Sequence, residues 1–155
     1  DVAARMIATR ESLPSGHSGI GTTLSANALS IAAMQAMLGE VMTPDAYDYM
    51  ARHAEMLVAG LNRVIGKHRL PWHISNVGAR VEFIVAPGPI RNGSEARAAM
   101  DHDLESLIHL MLVNRGSLLA PFHNMMLISP ATRKRQVDRL IAAFDEILTL
   151  LFSRE

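Results

Sequence analysis

The chain has no cysteine among its 155 residues, which excludes disulfides, thiolate nucleophiles and cysteine-based metal centres. It also lacks net charge, since 15 basic residues balance 15 acidic ones. No basic cluster is sustained, which argues against nucleic acid as a partner. The one basic knot, Arg133-Lys134-Arg135, opens a helical stretch and reads as solvated surface. No apolar run is long enough to span a bilayer, and no apolar stretch follows Asp1-Val2-Ala3-Ala4-Arg5 as a secretory signal would require. The chain does not open on Met and begins in helix-like sequence, so it reads as a piece of something longer. Charged residues are scarce at 19%, while hydrophobic residues reach 49%. That balance predicts a surface meant to be covered by another domain or subunit.

What is present suits one domain with a real core. Residues 1–8 read as a short helix and 9–23 as a polar loop rich in Gly, Ser and Pro. Residues 25–42 are apolar nearly all round, the signature of a buried helix. Thr43 and Pro44 form an N-cap followed by a first-turn proline. The helix they open runs to about His68, with Met50, Ala54, Leu57, Val58, Leu61 and Ile65 on one face. Strands are predicted at 72–77 and 80–86, separated by Gly78. A third long helix covers 94–114, with Asn92 or Ser94 near its cap and Gly116 just past its end. Short strands at 117–120 and 125–128 precede a last amphipathic helix over 133–152. Strands in adjacent pairs imply an α+β layer, a small antiparallel sheet with helices on one face.

The segment Gly19-Ile20-Gly21-Thr22-Thr23-Leu24-Ser25 leads into the apolar helix. Glycines admit close backbone approach, threonines supply hydroxyls and a helix start supplies free N–H groups. Together these suit an anion such as phosphate. A connecting loop with a threonine cap explains the same residues. The segment is neither a Walker loop nor a dinucleotide fingerprint, since no Gly-Lys-Thr follows it and no strand precedes it. His102, Glu105 and His109 share one helix face, but their spacing is not His-Glu-x-x-His, and a solvated or interface face accounts for them better than a metal site. His17 and His123 lie in loops, where specificity is commonly carried. Trp72, Phe83, Phe144 and Phe152 read as core or interface, and several of the ten methionines (Met34, Met37, Met125, Met126) fall on apolar segments and read as packing.

The order and spacing of several segments resemble the C-terminal part of class III pyridoxal-phosphate aminotransferases, the group that includes glutamate-1-semialdehyde aminomutases. Thr22-Thr23-Leu24-Ser25-Ala26-Asn27-Ala28-Leu29 is similar to that family's Gly-Thr-Leu-Ser-Gly-Asn-Pro-Leu, with alanines replacing the Gly and the Pro and favouring an earlier helix start. Val77-Gly78-Ala79-Arg80-Val81-Glu82-Phe83 resembles its strand–Gly–strand segment. Asn114-Arg115-Gly116-Ser117-Leu118-Leu119-Ala120-Pro121 resembles the strand before its final loop, and Ser129-Pro130-Ala131-Thr132 resembles the approach to its terminal helix.

The resemblance implies a tail of the large cofactor-binding domain over 1–43 and the small domain of a fold-type I enzyme over 44–155. It implies pyridoxal 5'-phosphate as cofactor, bound through Thr23 with backbone help from Thr22, reaching across the interface of a homodimer. It further implies a cytoplasmic enzyme without a metal. Such an enzyme moves an amino group between an amino donor and a keto or aldehyde acceptor, with His17 and His123 as candidate substrate contacts. A 2,1-aminomutase and a non-catalytic interaction domain are the alternatives. The two lysines, Lys67 and Lys134, lie in contexts unlike the family's Schiff-base lysine, so no catalytic residue is expected in this segment and the piece should be inactive alone. Arg80 and Arg115 are candidates for a substrate carboxylate only as arginines near strand ends.

Overall fold

A computed structural model describes residues 1–13, 27–120 and 124–152. The chain divides into two compact units, Asp1–Val41 and Met42–Glu155.

The first unit is helical where described. Helix α1 spans Val2–Glu11, its N-terminus capped by the Asp1 carboxylate, which accepts from Ala3 N at 3.1 Å. Helix α2 spans Ala28–Ala36 and continues as one π-helical turn over Met37–Val41. The alanines at 26 and 28 do not bring the helix start forward. Asn27 stays extended and caps α2, accepting from Ser30 N at 2.9 Å, because a short carboxamide satisfies an orphan helix amide that alanine cannot. Neither helix contains a buried residue, and Leu29, Met34 and Leu38 are all exposed.

The second unit holds the core. Helix α3, Pro44–Lys67, starts where Thr43 Oγ1 accepts from Ala46 N. Its buried stripe is Met50, Ala54, Leu57, Leu61, Val64 and Ile65, at the 3-4 spacing of one helix face. Strand β1 (His73–Val77) pairs antiparallel with β2 (Arg80–Ile84) through a two-residue turn. Gly78 supplies the φ of +55° that this turn needs, a conformation costly for other residues. Strand β3 is only Met126–Leu127 and adds to the other edge of β2, giving the order β1-β2-β3. Val81, Phe83 and Met126 point inward and are buried, whereas Arg80 and Leu127 face out. One sheet face is therefore covered and the other is not, as an α+β layer requires.

The helix expected over 94–114 is two helices, α4 (Gly93–Ala98) and α5 (His102–Asn114). Asp101 is responsible for the break. Its side chain accepts from Leu104 N at 3.1 Å, so it opens a new helix rather than continuing the old one. The strand expected at 117–120 does not form. Ala120 N donates to Met125 O at 3.2 Å, but among the described residues no ladder extends from this bond. The last helix, α6 (Lys134–Phe152), buries Val137, Ala143, Phe144, Ile147 and Leu148. It packs against α3 closely enough that a Cβ at Gly60 would meet Ile141 Cδ1. A file of rings crosses this layer. Phe152 meets Trp72 edge-on at 5.6 Å, Trp72 stacks on Phe83 at 6.1 Å, and Phe83 meets Phe144 at 5.1 Å. No helix among the described residues is long and apolar enough to cross a membrane.

Candidate functional site

The four site residues read from the sequence, Thr22, Thr23, His17 and His123, all lie outside the described residues. The structure instead fixes what borders them. The segment holding both threonines leads into the α2 N-terminus at the Asn27 cap. The segment holding His123 joins Ala120 to Asn124, and the Ala120–Met125 hydrogen bond brings its two ends together.

Asn124 is the residue that sequence reasoning missed. It is 2% exposed and adopts φ +44°, a left-handed conformation that asparagine tolerates better than most residues. Its Nδ2 donates to the Glu105 carbonyl of α5 at 3.2 Å, while its buried Oδ1 has no partner among the described residues. His109, one turn beyond Glu105 on the same helix face, has a buried Nδ1 that likewise has no partner among the described residues. The only local signal was an asparagine in a Pro-Phe-His-Asn run. Its partner lies 19 residues away and leaves no trace in the local sequence.

The lysines test whether this chain can hold the cofactor's carbon. A Schiff-base lysine must be neutral and usually desolvated when it attacks. Lys67 Nζ lies 2.7 Å from Asp145 Oδ2 with its side chain 58% exposed, and Lys134 Nζ lies 2.6 Å from Asp138 Oδ2 with its side chain 67% exposed. Both ammonium groups are ion-paired on solvent-facing helices, so neither fits that role. Arg80 pairs with Glu82 at 3.1 Å, and Arg115 pairs with Glu146 at 3.1 Å while also donating to Met111 O. The basic knot serves structure too: Arg133 donates to Pro130 O and to the Tyr49 hydroxyl, which in turn donates to Thr132 O at 2.6 Å. His102 Nδ1 approaches Glu105 no closer than 3.9 Å. Among the described residues no group of three or more His, Asp or Glu is placed to hold a metal ion.

Asp145 gathers most of the local electrostatics. Hydrogen bonds from Lys67, and then from His68 Nε2 at 2.8 Å, hold its carboxyl below the usual carboxylate value of 3.8. A carboxyl whose folded pKa is depressed stabilises the fold above its unfolded pKa, and the contribution is lost as pH falls through the folded pKa. Asp145→Asn should therefore cost about 1 kcal/mol at neutral pH, a small figure because Lys67 is solvent-exposed. Urea denaturation at a series of pH values should show the gap between wild type and variant closing only below the normal carboxylate range. A gap that persists in strong acid would contradict the assignment. A groove of about 570 Å³ runs along this α3–α6 edge, and a smaller cleft of about 370 Å³ lies between Gly116, Leu119, Ile128 and Gln136.

The fold and these segments have counterparts. No protein-family model matches the chain. Glutamate-1-semialdehyde 2,1-aminomutase 1 of Staphylococcus carnosus is 31% identical over 126 residues, which is 80% of this chain and 29% of that protein. A crystal structure of a glutamate-1-semialdehyde aminomutase from Pseudomonas aeruginosa PAO1, in complex with PMP, superposes with a TM-score of 0.84 at 43% identity. The match covers 94% of this chain and 33% of that one. A β-phenylalanine aminotransferase from Variovorax paradoxus matches with a TM-score of 0.74 at 27% identity, over 89% of this chain and 31% of its own. The chain matches the C-terminal part of glutamate-1-semialdehyde aminomutases and class III pyridoxal-phosphate aminotransferases. It spans about a third of the length of these relatives.

Proposed function

We propose that this chain is the C-terminal portion of a pyridoxal-phosphate enzyme that transfers an amino group between an amino donor and a keto or aldehyde acceptor. The observation that carries the reading is the match to the aminomutase–PMP structure over 94% of the chain at 43% identity. Within it, Thr23 takes the cofactor phosphate with backbone help from Thr22, across the interface of a homodimer in the cytoplasm. His17 and His123 face a small-molecule substrate. The reading involves no metal, nucleic acid or membrane. Pyridoxal phosphate supplies the electron sink for the bond broken at the substrate carbon, and the protein supplies binding, orientation and proton transfer. Lys67 and Lys134 are both ion-paired, which supports taking the Schiff-base lysine from elsewhere in the full-length polypeptide.

A second reading, a 2,1-aminomutase, is supported because the Staphylococcus relative is named a glutamate-1-semialdehyde 2,1-aminomutase and the Pseudomonas one a glutamate-1-semialdehyde aminomutase. The two differ in stoichiometry. A transaminase needs an acceptor distinct from its donor, whereas a mutase returns the amino group to the same carbon skeleton. Purified full-length protein with pyridoxal phosphate should change its cofactor absorption on addition of an amino donor. Turnover of glutamate-1-semialdehyde without any keto acid identifies the mutase, and turnover that requires a keto acid identifies the transaminase. Absence of any spectral response to either substrate would leave an interaction domain and overturn both.

A further inference from the structure

Asn92 and Gly93 form the chain's one Asn-Gly dipeptide, and both residues are exposed. In such a pair the glycine nitrogen can attack the asparagine side-chain carbonyl carbon. A bond forms between Gly93 N and Asn92 Cγ, the Cγ–Nδ2 bond breaks and the nitrogen leaves as ammonia. The result is a five-membered imide. Water then opens the ring at either carbonyl, leaving aspartate or its isoaspartyl isomer. Glycine makes this step easiest because it has no Cβ to shield the nitrogen. Gly93 is also the first residue of α4, whose N–H has no acceptor within the helix.

The fold holds the reacting carbonyl elsewhere. Asn92 Oδ1 accepts from Glu95 N at 3.0 Å, and Asn92 Nδ2 donates to Glu95 Oε1 at 2.9 Å. The second carboxylate oxygen of Glu95 accepts from Arg91 N at 2.8 Å, which ties down the residue before the pair. Closing the imide ring would swing the carboxamide onto Gly93 N and break both of its bonds to Glu95. The amide nitrogen that must depart is one of the groups held. We propose that Asn92–Gly93 is a deamidation site kept shut by Glu95, and that opening this three-bond lock commits the chain to a one-way change. The product carboxylate would face the Glu95 carboxylate where an amide N–H had been donated, so the lock cannot re-form as it was. The isoaspartyl product would in addition lengthen the main chain at the start of α4.

The control is local. Helix α4 has six residues and none of them is buried. Its opening exposes almost no apolar surface, so the lock sets the reaction rate rather than global unfolding.

Incubation of the full-length protein in mildly alkaline buffer, followed by peptide mapping for the amide-to-acid mass change at Asn92, tests this. Folded wild type should react at least about tenfold more slowly than its urea-unfolded chain, the scale of one to two net hydrogen bonds. Glu95→Ala removes the two side-chain bonds but leaves the residue-95 N–H donating to Asn92 Oδ1, so it should accelerate the folded-state reaction by about fivefold, the scale of one net hydrogen bond, with an unchanged melting temperature. Glu95→Gln, which keeps one acceptor oxygen, should fall between them. Equal rates for Glu95→Ala and wild type would overturn the proposal. So would a folded wild type as reactive as the unfolded chain, or acceleration that appears only together with a lowered melting temperature.

Discussion

Replacing Phe144 with alanine is expected to cost about 3–5 kcal/mol, the range for removing a fully buried aromatic side chain and leaving a cavity behind. Phe144 is 1% exposed and lies at the centre of α6, with its ring 5.1 Å from Phe83 on β2. It joins the last helix to the inner face of the sheet, and neighbours already buried on both sides limit collapse into the gap. The expected fall in melting temperature is roughly 10–20 °C for a unit of this size. Phe144→Leu keeps most of the volume and should lose less than about 1.5 kcal/mol, so the series stays readable if the alanine variant does not fold. Leu118→Ala provides the contrast. At 92% exposed, Leu118 should shift stability by no more than about 0.5 kcal/mol. Equal effects at positions 144 and 118 would mean that α6 does not seal the sheet as described.

Phe144 was legible before any coordinates, because it falls on the stripe formed with Val137, Ile147 and Leu148. The same holds for α3, whose cap, first-turn proline and 3-4 spacing agree with one another, and for the β1–β2 hairpin around Gly78. These elements are set by neighbours within a few residues. The misreadings share the opposite cause. Asp101 was hidden because the apolar spacing resumes at Leu104 as if one helix continued, and only the bond to Leu104 N shows that the helix restarts. Residues 117–120 read as a short apolar strand beyond Gly116, but a strand needs a partner; among the described residues Ser117 N bonds back to Leu112 O of α5, and only Ala120 reaches across, to Met125. The lysine count was legible, whereas the reason Lys67 is unsuited to cofactor chemistry was not, because Asp145 lies 78 residues further on. The burial of Asn124 depends likewise on a carbonyl in another element. The phosphate-binding role of Thr23 came from the order of segments rather than from periodicity, and it stands as a proposal to be tested by function.

On that proposal Thr23→Val should weaken cofactor retention about 10–100-fold, the loss of one hydrogen bond to a charged group at near-constant volume. The measurement is cofactor affinity of the full-length protein, with the melting temperature in the absence of cofactor expected to stay put. The cross-dimer arrangement makes a sharper demand. Consider dimers mixed from two defective chains, one carrying Thr23→Val and the other lacking its Schiff-base lysine. If the threonine serves its partner's site, one site in each mixed dimer combines the intact lysine of the first chain with the intact threonine of the second. The other site inherits both defects. Mixed dimers should then regain wild-type affinity and turnover at one site of the pair, under cofactor concentrations where neither parent variant works. If the threonine serves its own chain, every site in the mixture keeps one of the two defects and no activity returns. Recovery therefore reports where the hydroxyl at position 23 points, independently of which amino donor the enzyme uses.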